Sequence, residues 1–249
     1  MLELLHAEWA RHGPLPLAFD GDGTLWTGDV AETIWHALLA ERSIRPAAHA
    51  ALVRECVAAD LDADGDAHAL CMRITRAYLD GTFSEERICE IQAWVFAGWT
   101  AAEIQAFVDR VLFDGPESLA TRYIAETRAI VEAARAASAP VFVVSASPKH
   151  VVERAAAPLG FAPHEVLGSQ VLWRDGRVLP DVERPICYGP GKVHGLERVL
   201  QGRPLLAAFG DNVFDVPMLH HARFGVMVRP KARLLALPDI VSFHRLEEA

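Results

Sequence analysis

Apolar and polar positions are arranged along the chain in a pattern that predicts buried strands separated by helices. Residues 15–19 form an apolar run that ends abruptly at Asp20, which is typical of a buried strand in a parallel sheet. Later runs predict four more strands, at residues 139–144, 166–171, 205–209 and 224–228.

Helical patterns occupy the segments between these strands. The pattern of residues 1–11 predicts a short amphipathic helix. Asp29 is the predicted N-cap of a second helix, which ends near residue 42. From there to residue 135 the pattern is helical and rich in alanine, without a convincing strand. Asp175-Gly176, between apolar flanks, predicts a hairpin. The alternation of strands and helices in the second half predicts an α/β fold with a parallel sheet, into which the helical block is inserted after the first strand.

Composition and charge exclude several classes of protein. Hydrophobic residues make up 51% of the 249 residues, so the chain can bury a sizeable core. A net charge of −9 argues against a nucleic-acid surface, and no apolar run approaches the roughly 18 residues of a membrane span. Glu3, His6 and Glu8 interrupt the segment where a signal peptide needs apolar residues. We therefore expect a cytoplasmic protein with reduced cysteines and no nucleic-acid or membrane partner.

Polar side chains lie at the ends of three predicted strands and at the end of one loop. They are Asp20 and Asp22, Ser145, Lys192 in a Gly/Pro loop, and Asp211 with Asp215. The carboxyl ends of parallel strands meet in one crevice, so we expect these groups to lie together. Clustered carboxylates repel each other unless a cation settles the charge, and Mg²⁺ favours a few carboxylates together with substrate phosphate and water. The set therefore predicts phosphoryl-transfer chemistry.

Asp-Gly-Asp-Gly is also a good turn sequence, and a turn or a calcium loop is the alternative for residues 20–23. An EF-hand loop that began at Asp20 would need Gly at its sixth position and Glu at its twelfth. Those positions hold Leu25 and Ala31, so the EF-hand interpretation fails.

Four motifs in this chain resemble those of the haloacid dehalogenase (HAD) superfamily. They are Asp-Gly-Asp-Gly-Thr at 20–24, Ser145 after a hydrophobic strand, Lys192 in Gly-Pro-Gly-Lys, and Gly-Asp-Asn-Val-Phe-Asp at 210–215. The helical block resembles the cap of the phosphoserine-phosphatase-like branch. The resemblance implies a Rossmann-like core domain at 1–27 and 126–249 and a helical cap domain at 28–125.

The resemblance also implies a role for each aspartate of the motifs. Asp20 would be the nucleophile that forms an aspartyl-phosphate, and Asp22 would be the general acid and base. Mg²⁺ would be bound by Asp20, by the backbone carbonyl of Asp22 and by Asp211. Asp215 would be a nearby or water-mediated partner of the ion.

The phosphoryl group would be held by Ser145, Ala146 and Lys192, again by resemblance. From the residues themselves, Ser147-Pro148 predicts the N-cap and first residue of a helix. The backbone N–H groups at the start of that helix would face the same anion.

Three residues are candidates for contact with the leaving group. Asp29 lies nine residues after Asp20, where the resemblance implies a carboxylate facing a substrate amine, although its N-cap role is an equal alternative. Arg73 could face a substrate carboxylate or could simply be solvated. Trp26 would place a bulky aromatic ring near the entrance, which also allows a larger or more apolar leaving group than serine.

Together these observations predict a Mg²⁺-dependent phosphomonoester hydrolase that acts on a small phosphorylated metabolite as a monomer or homodimer. A phosphotransferase or phosphomutase of the same fold is one alternative. A catalytically silent scaffold that acts as a binding protein is another, but such a protein would be expected to lose Asp20 or Asp22.

Overall fold

A six-stranded parallel sheet lies at the centre of the molecule. The computed structural model describes residues 1–115 and 117–246, so Pro116 and residues 247–249 of the predicted domains lie outside the described residues. The strands are β1 (Leu17–Phe19), β2 (Val141–Pro148), β3 (Val166–Ser169), β4 (Val171–Arg174), β5 (Arg177–Val182), β6 (Ala207–Gly210), β7 (Phe224–Val228) and β8 (His244–Leu246).

Helices cover the sheet and form a block between its first two strands in sequence. They are α1 (Leu2–His12), α2 (Val30–Ala40), α3 (His49–Ala58), α4 (Ala67–Leu79), α5 (Glu85–Trp94), α6 (Ala101–Phe113), α7 (Ala125–Ala136), α8 (Lys149–Ala156), α9 (Pro190–Leu200), α10 (Val216–His221) and α11 (Ala232–Leu235). No helix among the described residues is both long enough and apolar enough to cross a membrane.

The order of the strands in the sheet is β3-β2-β1-β6-β7-β8, and every adjacent pair is parallel. In the register of β1, Leu17 lies opposite Val141 of β2 on one side and Ala207 of β6 on the other. The predicted α/β fold with a Rossmann-like parallel sheet is confirmed. Because the pairs are parallel, the ends of β1, β2 and β6 lie side by side at one edge.

Helices α2 to α6, with the segments between them, form what we call the helical insertion. No strand lies between β1 and β2 in the part of the chain that is described, as the sequence predicts. The carboxylate of Asp29 accepts a hydrogen bond from the Glu32 amide at 2.8 Å and caps α2, which confirms its predicted N-cap role.

The insertion is joined to the rest of the chain at two places. In the first, the two connecting segments pair with each other: the Thr27 amide donates to the Arg122 carbonyl at 2.9 Å, and the Ile124 amide donates to the Leu25 carbonyl at 3.0 Å. In the second, the Gly98 amide donates to the carbonyl of Val178 in β5 at 2.9 Å. The first joint therefore ties the two segments that lead into and out of the insertion, and the second ties the insertion itself to β5.

Strands β4 and β5 form the hairpin predicted from Asp175-Gly176. Asp175 has φ +51° and Gly176 has φ +72°, the two positive φ values that a type I′ turn requires. The hairpin also contacts the insertion directly, because Val178 of β5 accepts the hydrogen bond from the Gly98 amide.

Candidate active site

Three neighbouring strands carry the polar residues that begin the site. Asp20 follows β1, and its amide still donates to the Phe209 carbonyl of β6 at 2.8 Å. Ser145 lies within β2 and Asp211 follows β6. Since β1 lies between β2 and β6, the sheet brings these side chains to the same crevice.

A lysine and two aspartates form a buried charge cluster in this crevice. The Nζ atom of Lys192, in the first turn of α9, lies 2.6 Å from Oδ1 of Asp20 and 2.6 Å from Oδ1 of Asp215. The three side chains are 3%, 9% and 1% exposed respectively. Oδ2 of Asp215 accepts hydrogen bonds from the backbone amides of Asp211 and Asn212, at 3.0 and 2.9 Å. Asp215 therefore fixes the loop that carries Asp211 as well as the lysine.

Asp211 is a third carboxylate in the same cluster, and Gly23 lies against it. One carboxylate oxygen from each of Asp20, Asp211 and Asp215 lies within 4.8 Å of the others. A Cβ atom on Gly23 would lie 2.1 Å from Oδ2 of Asp211. The loop after β1 can therefore approach Asp211 this closely only with glycine at position 23.

Burial and mutual repulsion raise the pKa values of these acids. Burial, followed by the charge of Asp215, raises the pKa of Asp20 well above its usual value, although Lys192 opposes the shift. The same two causes raise the pKa of Asp211 to about 6. Burial alone would lower the pKa of Lys192, but the charges of Asp20 and Asp215 outweigh it and raise that pKa. The cluster thus has more negative charge than its buried lysine neutralises.

Asp22 accepts hydrogen bonds from three different segments. Its Oδ1 atom accepts the indole N–H of Trp26 and the amide of Val30, both at 2.8 Å. Its Oδ2 atom accepts the hydroxyl of Ser147 at 2.7 Å. The prediction that Ser147 is an N-cap is wrong, because β2 continues to Pro148 and α8 begins at Lys149.

A cavity of about 90 Å³ lies above these groups, between the sheet edge and the helical insertion. Helix α5 of the insertion contributes Glu85, Cys89 and Gln92 to its wall. The rings of Tyr188 and Phe214, with centroids 4.5 Å apart, form part of the opposite wall. The space is suited to a small molecule with its anionic end at the buried cluster.

The family model for haloacid dehalogenase-like hydrolases matches residues 17–220 of this chain. The chain belongs to that family. The matched range includes all of the acidic residues of the site, from Asp20 to Asp215. No curated protein matches the chain.

Solved structures with this HAD-like fold resemble the chain over most of its length. A protein of unknown function from Bordetella pertussis Tohama I has a TM-score of 0.71 at 18% identity, over 93% of this chain and 97% of that one. A HAD family hydrolase from Salmonella enterica serovar Typhi has a TM-score of 0.60 at 17% identity, over 98% and 75%. A substrate-bound phosphoserine phosphatase has a TM-score of 0.58 at 16% identity, over 94% and 93%. At these identities the likeness concerns the fold.

The HAD-like fold brings most of the sequence-predicted site residues to one cavity. Its lining includes Asp20, Asp22, Asp29, Ser145, Ala146, Lys192, Asp211 and Asp215. Asp29 is exposed at the mouth, yet protein atoms displace water from its carboxyl group. This desolvation, followed by the charge of Asp22, raises the pKa of Asp29 to about 7. Asp29 therefore both caps α2 and faces the cavity.

Two predicted substrate contacts do not line this cavity. Trp26 is fully buried, at 0% exposure, beneath the loop that holds Asp22. Arg73 lies on α4, where its guanidinium donates to the carbonyls of Asp62 and Asp64 and pairs with the Asp62 carboxylate at 2.8 Å. The partners of Arg73 are therefore backbone and carboxylate groups at residues 62–64, within the helical insertion.

Lys231 is a site residue of this HAD-like protein that the sequence reasoning missed. Its Nζ atom lies 2.9 Å from Oδ2 of Asp211, and its side chain is 54% exposed at the cavity wall. It follows β7 by three residues, so the strand-end rule that predicted the other residues could have found it. The walls from α5 and from Tyr188 and Phe214 had no such signal, because they depend on how distant elements pack.

Proposed function

We propose that this chain is a Mg²⁺-dependent phosphomonoester hydrolase that acts on a small phosphorylated metabolite through an aspartyl-phosphate. The observation that carries the proposal is the buried contact of Lys192 with Asp20 and Asp215, at 2.6 Å each, at the floor of a small cavity. The contact places a nucleophilic carboxylate beside a cation that can bind a phosphoryl oxygen, and phosphoryl transfer depends on such positioning and charge neutralisation.

The donor set suits a hard divalent cation. Three carboxylates with oxygens within 4.8 Å of one another carry more charge than Lys192 neutralises, and oxygen donors are those that Mg²⁺ prefers. Asp20, Asp211 and the backbone carbonyl of Asp22 would hold the ion, with Asp215 beside them. When bound, the ion would neutralise charge on the transferring phosphoryl group.

The remaining roles belong to side chains of the chain itself. A carboxylate oxygen of Asp20 attacks phosphorus, while Lys192, Ser145 and the Ala146 backbone bind the phosphoryl oxygens. Asp22 gives a proton to the leaving alkoxide and later takes one from the attacking water.

The leaving group would lie between Asp29 and the wall formed by α5. A cavity of about 90 Å³ limits it to a small group. The name of the phosphoserine phosphatase among the similar structures supports a phosphorylated metabolite of that size. A cytoplasmic location, a monomeric or homodimeric state and the absence of nucleic-acid and membrane partners stay predictions.

Release of phosphate from p-nitrophenyl phosphate tests the proposal. We expect activity that EDTA abolishes and Mg²⁺ restores, and a loss of at least about a thousandfold in Asp20→Asn, because the covalent step has no nucleophile. Asp175→Asn, in the exposed hairpin turn, is the matched control and should retain full activity. Phosphatase activity that survives in Asp20→Asn would contradict the assignment.

The transferase alternative is separated by the fate of the phosphoryl group. If an added alcohol such as glycerol receives most of the phosphoryl group at the expense of free phosphate, the chain is a phosphotransferase. If free phosphate dominates, the hydrolase proposal stands. Inactivity toward a panel of phosphorylated metabolites, with Mg²⁺ bound, would favour the silent scaffold.

A further inference from the structure

Trp26 is a fully buried residue beside the proposed acid and base. Its indole N–H donates to Oδ1 of Asp22 at 2.8 Å, and the Val30 amide donates to the same oxygen at 2.8 Å. Both donors are rigid, because one belongs to a buried ring and the other to the backbone at the first residue of α2. They therefore fix the position of Oδ1.

The ring of Trp26 is itself held in place by packing. A Cβ atom on Gly21 would lie 2.8 Å from the ring, so the ring rests directly on that glycine. Tyr123 meets it edge-on, at 6.5 Å between centroids and 79° between planes. The Tyr123 hydroxyl donates to the Ala155 carbonyl of α8 at 2.7 Å, which anchors that second ring. The direction of the indole N–H is thus set by the surrounding structure.

The two oxygens of Asp22 differ in the kind of partner they have. Oδ1 faces two fixed donors, whereas Oδ2 pairs, among the described residues, with the Ser147 hydroxyl alone, at 2.7 Å. A hydroxyl can rotate and can accept as well as donate, so Oδ2 is the oxygen that can carry a proton without losing its hydrogen bond. With both fixed donors on Oδ1, Oδ2 is the oxygen whose partner can adjust, and Asp22 and Ser147 both line the cavity.

We propose that Trp26 is a positioning residue that holds Asp22 with Oδ2 turned toward the leaving group, an inference that rests on the proposed function. In the first step the Asp20–phosphorus bond forms as the bond from phosphorus to the leaving oxygen breaks, and the proton on Oδ2 moves to that oxygen. In the second step water attacks phosphorus, its proton returns to Oδ2, and the bond to Asp20 breaks.

The dependence of rate on the leaving group tests this role in Trp26→Phe, which retains an aromatic ring but has no N–H donor. An alkyl phosphate, n-propyl phosphate, needs a proton on its leaving oxygen, whereas the p-nitrophenolate anion leaves without one. We expect kcat/KM for n-propyl phosphate to fall roughly ten- to a hundredfold, which is part of the roughly 100- to 10,000-fold that general acid catalysis contributes, because Asp22 is still present but less well positioned. We expect kcat/KM for p-nitrophenyl phosphate to fall less than about threefold. This ratio reports only the steps up to departure of the leaving group, and p-nitrophenolate departs without a proton from Asp22.

Trp35→Phe is the matched control. The indole of Trp35 is also buried, but it donates to the Thr75 hydroxyl at 2.9 Å, inside the helical insertion. This variant should change kcat/KM for the two substrates by the same factor. If Trp26→Phe does not fold, β-(3-benzothienyl)alanine at position 26 retains the bicyclic shape without the N–H group and should give the same selective loss.

An equal effect of the position-26 variant on both substrates, or no effect on either, would overturn the positioning role while leaving the proposed function intact. Wild-type protein that hydrolyses neither substrate would overturn the proposed function and this inference with it. A selective loss with the alkyl phosphate supports the inference, since a general loss of structure would slow both reactions.

Discussion

Gly23 is the residue on which the spacing between the two acidic loops depends. It has φ +82°, and a Cβ atom at this position would meet Oδ2 of Asp211 at 2.1 Å. An alanine must therefore displace the Asp211 carboxylate, in addition to the strain of its own backbone conformation. We expect Gly23→Ala to weaken Mg²⁺ binding at least about tenfold, as changes beside metal ligands commonly do. Isothermal titration with Mg²⁺ measures this.

Gly81→Ala separates the effect of backbone strain from that of the clash. Gly81 has φ +73°, and apart from its two chain neighbours no residue in the described part of the chain has an atom within 4 Å of the position of its Cβ. This variant should lose about 1 kcal/mol of unfolding free energy and no Mg²⁺ affinity. If Gly23→Ala binds Mg²⁺ as tightly as Gly81→Ala does, then Asp211 is not a ligand or the loop yields easily.

His150 makes stability depend on pH in a defined direction. Burial lowers its pKa from 6.5 to about 4, and its Nε2 atom has no hydrogen-bond partner within the described part of the chain. The unfolded chain therefore takes up a proton at this residue between about pH 6.5 and pH 4, while the folded chain does not, so stability falls as the pH falls through that window. His150→Leu should remove this contribution, roughly 1–3 kcal/mol between pH 7 and pH 4.

Denaturant unfolding of wild type and His150→Leu at several pH values measures the difference. A wild-type curve parallel to that of His150→Leu would mean that His150 takes up its proton equally in the folded and the unfolded chain, so that burial does not lower its pKa.

At the scale of elements, local patterns were predictable and contacts between distant elements were not. The apolar run before Asp20 and the Asp175-Gly176 turn each carry their own signal, and both elements are present. Strand β8 was missed because His244–Leu246 is short and mostly exposed at the sheet edge. Strand β2 extends to Pro148 because pairing with β3 continues past an irregularity in register, which no local pattern in Ser145-Ala146-Ser147 indicated.

The candidate site divides in the same way. Strand ends of a parallel sheet meet by topology, so Asp20 and Asp211 could be grouped from the sequence alone. Lys192 joined them through its Gly/Pro loop and the family resemblance, since it follows no strand of the parallel sheet. The role of Trp26 could not be predicted from the sequence, because a tryptophan four residues after Asp22 can turn either toward the cavity or beneath the loop. Packing on Gly21 and Tyr123 decides for the second.

At the scale of the whole molecule, the helical insertion and the sheet share one apolar cluster. Leu70 and Ile74 of α4 belong to the same cluster of buried side chains as Val143 of β2 and Phe209 of β6. A backbone hydrogen bond also joins the insertion to the β4–β5 hairpin at Gly98 with Val178, and the two connecting segments pair with each other at Thr27 with Arg122. These links oppose independent opening of the insertion, because the apolar surface that holds it to the sheet would be exposed to water.

We therefore expect the insertion and the sheet to unfold in one transition. Native-state hydrogen exchange should give the amides of Ile74 and Val143 the same opening free energy, equal to that of global unfolding. The amide of Leu246, at the sheet edge, should exchange with a lower free energy and so shows that local opening is detectable. A lower value for Ile74 than for Val143 would mean that the insertion melts first, and access to the cavity would then proceed by local unfolding rather than by a small movement at its two joints.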